Sequence, residues 1–442
     1  MDQEYFEAQY PSMARSSEIE ELVQVIKEGK SCQLVGLPGV GRSTLLGLLA
    51  HNKAVRIKHL GDKQKQMHFV MANFSEIRKR PLFDAMKFLF LSLADSLHER
   101  ELEDEYLKVN EIFREKLAFK DELVLFQGLK EAVDYLALTR KMTIVFLFDR
   151  FEEYVPTVTD EFFINLRTLR KRAKYHFSVV FSLSRPLESV LEPSILADFY
   201  EFVGGNLVTV RLYDKDATKF RIEYIEEVTG KKVSAPIFKE INRLTGGHGK
   251  LFKLCVETIL SSEGIHKNLA EFLLSKKIIK GALLEIWNYL SPAERHALFQ
   301  KKFEDEQIRV YLETVGLVKE NAIQIPLFEQ FIKQEFAQDR VGEEKIVYDQ
   351  NTDAILKGEM PLSDNLTSSE FRLLRYLLQN QDKIIDREEL ISVVWQGNKS
   401  TAGITDQAID QLVFRVRRKI EEDPNNAHHL QTIKGRGFKF IA

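Results

Sequence analysis

Two cysteines in 442 residues, Cys32 and Cys255, are too few for a disulfide framework or a metal cluster. Both lie in apolar contexts, which predicts buried thiols in a reducing compartment. Charge of one sign is missing as well. The formal net charge is -3, so attraction of the whole protein to nucleic acid or anionic lipid is excluded and any such binding must come from a local basic patch. No apolar run reaches membrane-spanning length, and the polar, acidic start lacks the pattern of a signal peptide. The expectation is a cytoplasmic protein with no membrane partner. Its length is too great for one ordinary core and predicts several compact units.

What is present begins with Leu34-Val35-Gly36-Leu37-Pro38-Gly39-Val40-Gly41-Arg42-Ser43-Thr44-Leu45-Leu46. An apolar strand pattern enters a glycine-rich turn and an apolar helical pattern leaves it, as in a phosphate-binding loop. Gly36, Gly39 and Gly41 let backbone N–H groups, including that of Val40, converge on an anion at a helix N-terminus. Arg42, Ser43 and Thr44 complete the candidate nucleotide site, with Arg42 standing where the motif has lysine. Upstream, Arg15 at the start of a helical pattern reads either as a surface residue near an N-cap or as a flank of the nucleotide base.

Thr143-Ile144-Val145-Phe146-Leu147-Phe148-Asp149 is a continuous apolar run ending in an acid, the pattern of a strand buried on both faces of a parallel sheet. At that edge Asp149, with Ser43, is the candidate to hold Mg2+. A second acid commonly follows to polarise the attacking water, but here the residue is Arg150. Glu152 and Glu153 come next, and Glu152 is the candidate substitute, so slow or absent hydrolysis is expected. A further strand, Ser178–Leu183, ends in Ser184-Arg185, which puts Arg185 where it can reach a terminal phosphate. Ahead of the first of these strands the spacing predicts two long helices over 81–100 and 103–140, and after the second, over 211–275, a helical subdomain broken at Gly246-Gly247-His248. His248 reads as a turn residue or as a group facing the ligand.

Leu290-Ser291-Pro292-Ala293-Glu294 predicts a capped helix, and the apolar pairs around Gly316 to Ile325 a hairpin, together a winged helix used for packing. After a polar linker, strands at 345–348 and 354–357 precede a Thr367-x-x-Glu370 capping box, a second helix from Ile385 and a third from Asp406. That third helix carries Gln407, Gln411, Arg415, Arg417 and Arg418. A basic hairpin with Thr432, Lys434 and Arg436 closes the chain. Arginine and glutamine are the side chains that bond base edges in a major groove, and a basic wing can lie on phosphates.

On these residues, 343–442 closely resembles the OmpR-type winged-helix output domain. The match is carried by Leu-Thr-x-x-Glu-Phe, Arg-Glu-Glu-Leu with Val-x-x-Val-Trp395, Arg-Val-Arg-Arg-Lys-Ile-Glu and Thr-Ile-Lys-Gly-Arg-Gly-Phe. The resemblance implies that 406–421 is the recognition helix. Gln407, Gln411 and Arg415 would then face the groove, Arg417 a phosphate or Asp410, and Thr432, Lys434 and Arg436 the DNA backbone. Leu412 and Phe414 depart from the polar residues some members carry there.

Residues 15–335 resemble the STAND class of signalling ATPases through Gly36–Thr44, Asp149, Ser184-Arg185 and Gly246-Gly247-His248, with Arg42, Arg150 and Gly249 departing from its pattern. This implies ATP or ADP with Mg2+. The expected architecture is multidomain α/β plus α+β. An arm and helix (1–30) lead into a P-loop parallel-sheet core (31–210), a helical subdomain (211–275) and a packing winged helix (276–336). A linker (337–342) then joins these to the DNA-binding winged helix (343–442). The leading function is a nucleotide-regulated bacterial transcription regulator. A DNA-associated initiator- or remodeller-like ATPase and a DNA-binding scaffold with a dead nucleotide fold stay open, as does a second copy or a regulatory protein as partner.

Overall fold

The computed structural model describes residues 5–212, 214–262, 268–336, 346–350, 352–358, 360–362, 365–395, 406–421, 424, 427–433 and 435–441. They fall into two compact units, one bounded by 1–282 with 314–317, the other by 283–313 with 318–442. Among the described residues no helix is long and apolar enough to cross a membrane.

The first unit is built on a five-stranded parallel sheet of β1 (Cys32–Val35), β2 (Met67–Asn73), β3 (Thr143–Asp149), β4 (Phe177–Leu183) and β5 (Leu207–Thr209), in the order β2-β3-β4-β1-β5. Every residue of β1 and β4 is buried, as strands covered on both faces require. The short β5, absent from the expectation, pairs with β1 through Leu34 and Val208. The pattern over 103–140 is not one helix. It divides into Glu103–Leu117 and Glu122–Asp134, because Lys120 takes φ 51° and the Asp121 carboxylate caps the next helix by accepting from Val124 N.

Aromatic packing fixes the turn after β3. Arg150 adopts φ 51°, and Phe151, fully buried, packs at 4.9 Å from Phe74 and 5.0 Å from Phe181 between ring centroids. Phe148, Tyr154, Phe162 and Phe163 also pack around it. Truncating such a ring costs about 3–5 kcal/mol, so Asp149 and Glu152 on either side of it are held firmly.

In the second unit the helix Pro292–Gln300 starts at the Ser291/Glu294 capping box, and the hairpin is β6 (Val318–Lys319) with β7 (Ala322–Ile323). Further on lie β8 (Ile346–Asp349), β9 (Ala354–Lys357) and the unexpected β10 (Met360–Pro361), followed by helices Ser368–Gln379, Arg387–Val394 and Asp406–Ile420. The closing hairpin, β12 (Leu430–Ile433) with β13 (Gly437–Phe440), gains a third strand from β11 (Ile384–Ile385). Leu373, Leu377, Ile409, Val413, Val416 and Phe438 share one core.

Candidate functional sites

The loop after β1 is tied back by its carbonyls. His248 Nε2 donates to Pro38 O at 2.8 Å, Lys250 N to Gly39 O at 2.9 Å and Arg15 Nη2 to Val40 O at 2.9 Å. A trans peptide carries its N–H opposite its carbonyl, so the N–H groups of Gly39 and Gly41 face the other side. That of Val40 bonds Leu37 O at 3.2 Å within the turn. Gly39 (φ 78°) and Gly41 (φ 108°) use backbone space that side chains disfavour, and a Cβ on Gly39 would sit 2.8 Å from Lys250 Cβ. The helix Arg42–His51 then begins with its first N–H groups at the loop.

The charged residues pair in the same place. Ser43 Oγ donates to Asp149 Oδ1 at 2.9 Å, joining the loop to the end of β3. Arg42 Nη2 donates to Glu152 Oε1 at 2.7 Å, with side-chain exposures of 12% and 25%. Arg42 Nη1 and Glu152 Oε2 are both buried and without a hydrogen-bond partner. Arg150 is half exposed and turns to Glu153. Arg185 follows β4 at the same sheet edge.

Beside the loop lies a narrow cleft open to solvent, lined by Tyr10, Arg15, Thr44, Thr218, Arg221 and Phe252 among others. Arg15 is therefore not a surface arginine. It is 6% exposed and also donates to Arg211 O at 2.6 Å. His248 differs from the ligand-facing alternative: its Nδ1 accepts from Leu251 N while Nε2 holds Pro38 O, making it a buttress of the loop.

Tyr10, Arg221 and Phe252 were not expected. Arg221 bridges Gly249 O and the Tyr10 hydroxyl, each at 3.0 Å. Asn52, buried, holds the arm by donating to Glu7 O and Tyr10 O at 2.9 Å. The aromatic spacing of Phe6 and Tyr10 in an otherwise polar arm was the available signal, and Tyr10 packs 4.2 Å from Phe220.

These residues fit a magnesium nucleotide. The loop's carbonyls are turned away, Arg42 keeps a buried donor unpaired, and the Ser43 hydroxyl and Asp149 carboxylate would hold the ion. Among the described residues no group of three or more His, Cys, Asp or Glu could hold a metal unaided.

In the second unit the helix Asp406–Ile420 buries Ile409, Leu412, Val413, Val416 and Ile420 and exposes Gln411, Phe414 and Arg418. Arg415, expected to face a groove, has a side chain 17% exposed and lies 3.5 Å from the buried Glu370, whose other oxygen takes Lys419. Arg417 does not reach Asp410, which Arg387 occupies at 2.7 Å. It instead donates to Leu430 O at 2.8 Å and to Thr432 Oγ1 at 2.7 Å, bracing the helix against the hairpin. Partial burial lowers its pKa from the usual arginine value. Arg436 is exposed in the turn. The Gln407 side chain and Lys434 lie outside the described residues.

Among solved structures, a Walker-type ATPase of Pyrococcus abyssi is 16% identical with a TM-score of 0.42, over 78% of this chain and 93% of that one. Among curated proteins, the sensory transduction protein RegX3 of Mycolicibacterium smegmatis is 43% identical over 74 residues, 17% of this chain and 31% of that protein. The phosphate regulon transcriptional regulatory protein PhoB of Klebsiella pneumoniae is 27% identical over 94 residues, 21% of this chain and 38% of that one. The chain thus spans about a third of the length of the curated relatives it matches. The family model described as "Transcriptional regulatory protein, C terminal" matches residues 363–440, and that segment is of the OmpR-type winged-helix DNA-binding kind.

Proposed function

We propose that the chain is a DNA-binding transcription regulator whose N-terminal module, a degenerate P-loop ATPase of the STAND kind, binds Mg2+ with ATP or ADP and sets the activity of the C-terminal winged helix. What carries the reading is one combination. A loop whose Pro38, Gly39 and Val40 carbonyls are all tied back stands in the same chain as a segment matching a transcription-regulator output domain. Gly39, Gly41, Arg42 and Thr44 hold the phosphates, Ser43 and Asp149 the ion, and Arg185 the terminal phosphate. Arg15 flanks the base or ribose beside Tyr10 and Arg221. Gln411 and Arg418 face the major groove and Arg436 a phosphate.

Hydrolysis is slow in this reading. Arg150 stands where a second acid serves fast ATPases, and Glu152 is the counter-ion of Arg42. A nucleotide acts as a switch by binding two states unequally.

Calorimetric titration of the full chain with Mg-ATP and Mg-ADP, paired with DNA-binding measurements in each nucleotide, tests the proposal. Ser43→Ala and Asp149→Ala are each expected to weaken nucleotide binding at least about tenfold, or ~1.4 kcal/mol. Unchanged affinity in both removes the nucleotide assignment. DNA affinity identical with ATP, ADP and no nucleotide removes the switch, and steady rapid turnover replaces it with a working ATPase.

A further inference from the structure

Phe414 has no place in the core and no polar role. It stands on the helix Asp406–Ile420 at 40% exposure, and among the described residues from 346 onward it is the one large apolar side chain so exposed. Its neighbours along the helix are informative. Gln411, three residues before, and Arg418, four residues after, are both exposed, and residues at these spacings share a face. Leu412, Val413 and Val416 turn into the core, so the exposed stripe is Gln411, Phe414, Arg418 with the aromatic ring at its centre.

Charge decides what such a stripe fits. The same unit exposes Arg418 on the helix and Arg436 in the hairpin turn, while Asp410, next to Gln411 in the chain, is paired with Arg387 at 2.7 Å. An exposed ring beside a cation on one helix face suits a polyanion that offers an apolar spot among polar edges. The major groove of DNA offers one such spot, the 5-methyl group of thymine.

We infer that Phe414 is a specificity-determining residue that packs on a thymine methyl, so that the target site prefers a T·A pair under the centre of the recognition helix. The inference rests on the DNA-binding reading above. It also accounts for the turning of Arg415 toward Glu370: with the arginine drawn into the domain, the base-facing place on that turn falls to the ring.

The test uses the full chain. Duplexes are selected from a random library by the wild type and by Phe414→Ala, and the consensus is then remade with deoxyuridine replacing thymine at each position in turn. The wild type is expected to lose about three- to fivefold in affinity at one T·A position on losing that single methyl, the size expected from apolar burial of one carbon. Phe414→Ala is expected to be indifferent to the same replacement and to select any base pair there, while Phe414→Leu keeps part of the preference. Indifference of the wild type to every thymine-to-uracil replacement overturns the inference and leaves the DNA-binding reading standing. So does a Phe414→Ala variant with unchanged base preference but weakened self-association, since the ring then belongs to a contact between copies. Failure of the wild type to enrich any sequence overturns both.

Discussion

Arg42 sits at the lysine position of the proposed phosphate loop but spends one arm on Glu152. A guanidinium has a planar fork with several donors, so it can hold a carboxylate and still present an unused N–H, which an ammonium's single point charge does less well. Here Nη1 is that unused donor. In the proposed site the carboxylate and an incoming phosphate compete for the same cation. Glu152→Gln removes the competing charge while preserving shape, and is expected to tighten Mg-nucleotide binding by up to about tenfold, ~1.4 kcal/mol, read by calorimetry. Weaker binding in that variant assigns Glu152 to the ion or its water instead.

His68 gives a second residue-level expectation. It is fully buried on β2. Its Nδ1 accepts from Arg100 at 3.2 Å and its Nε2 donates to Ser96 Oγ at 2.8 Å, so the ring is neutral. Burial first, then the charges of Arg100 and Arg56, pull its pKa down to about 3. A histidine whose folded pKa lies below its unfolded value binds its proton more readily in the unfolded chain. Stability is therefore full above about pH 6.5 and is lost as pH falls toward the folded value. His51, held down to about 4 chiefly by burial, titrates in the same direction. The melting temperature of the full chain is expected to fall between pH 6.5 and 4, less steeply in His68→Asn; equal slopes exclude His68 as a contributor.

At the scale of elements, the closing hairpin depends on one glycine more than on its neighbour. Gly437 has φ 123°, and a Cβ there would stand 2.0 Å from Ile385 O, where β13 meets β11. Gly435 has φ 72° with open space around its Cβ position. Gly437→Ala is expected to cost about 2–4 kcal/mol by forcing the strands apart, and Gly435→Ala about 1 kcal/mol from the left-handed backbone alone. Hydrogen exchange of the amides between Leu430 and Phe440 reads both, and comparable protection in the two variants refutes the ranking. The Gly-x-Gly turn was plain in the sequence, but its dependence on β11 was not. Ile384-Ile385 is too short to show a strand period and pairs across more than fifty residues of chain.

The same division runs through the molecule. The capping boxes at Ser291/Glu294 and Thr367/Glu370, the apolar strand ending at Asp149 and the glycine loop depend on residues close in sequence, and the structure has them as read. Roles set by distant partners were hidden. Arg417 meets the hairpin rather than Asp410, His248 props the loop from behind, and Tyr10 lines a cleft more than two hundred residues away from Arg221.

At the scale of the whole chain, the proposed switch makes a quantitative demand that does not depend on how the units move. If nucleotide changes DNA affinity by some factor, DNA must change nucleotide affinity by the same factor, because both describe one coupling free energy. Couplings of this kind are typically about 5–150-fold, ~1–3 kcal/mol. DNA affinity measured with saturating Mg-ADP, with Mg-ATP and with neither, and nucleotide affinity measured with and without a bound duplex, are expected to give matching ratios at one salt concentration, since the DNA term itself varies steeply with salt. Asp149→Ala is expected to bring the DNA ratio to about one while leaving nucleotide-free DNA affinity at the wild-type value. A variant that loses DNA affinity with no nucleotide present shows instead that Asp149 acts through the fold of its own unit, and a ratio near one in the wild type reduces the loop to a structural relic beside an autonomous DNA-binding domain.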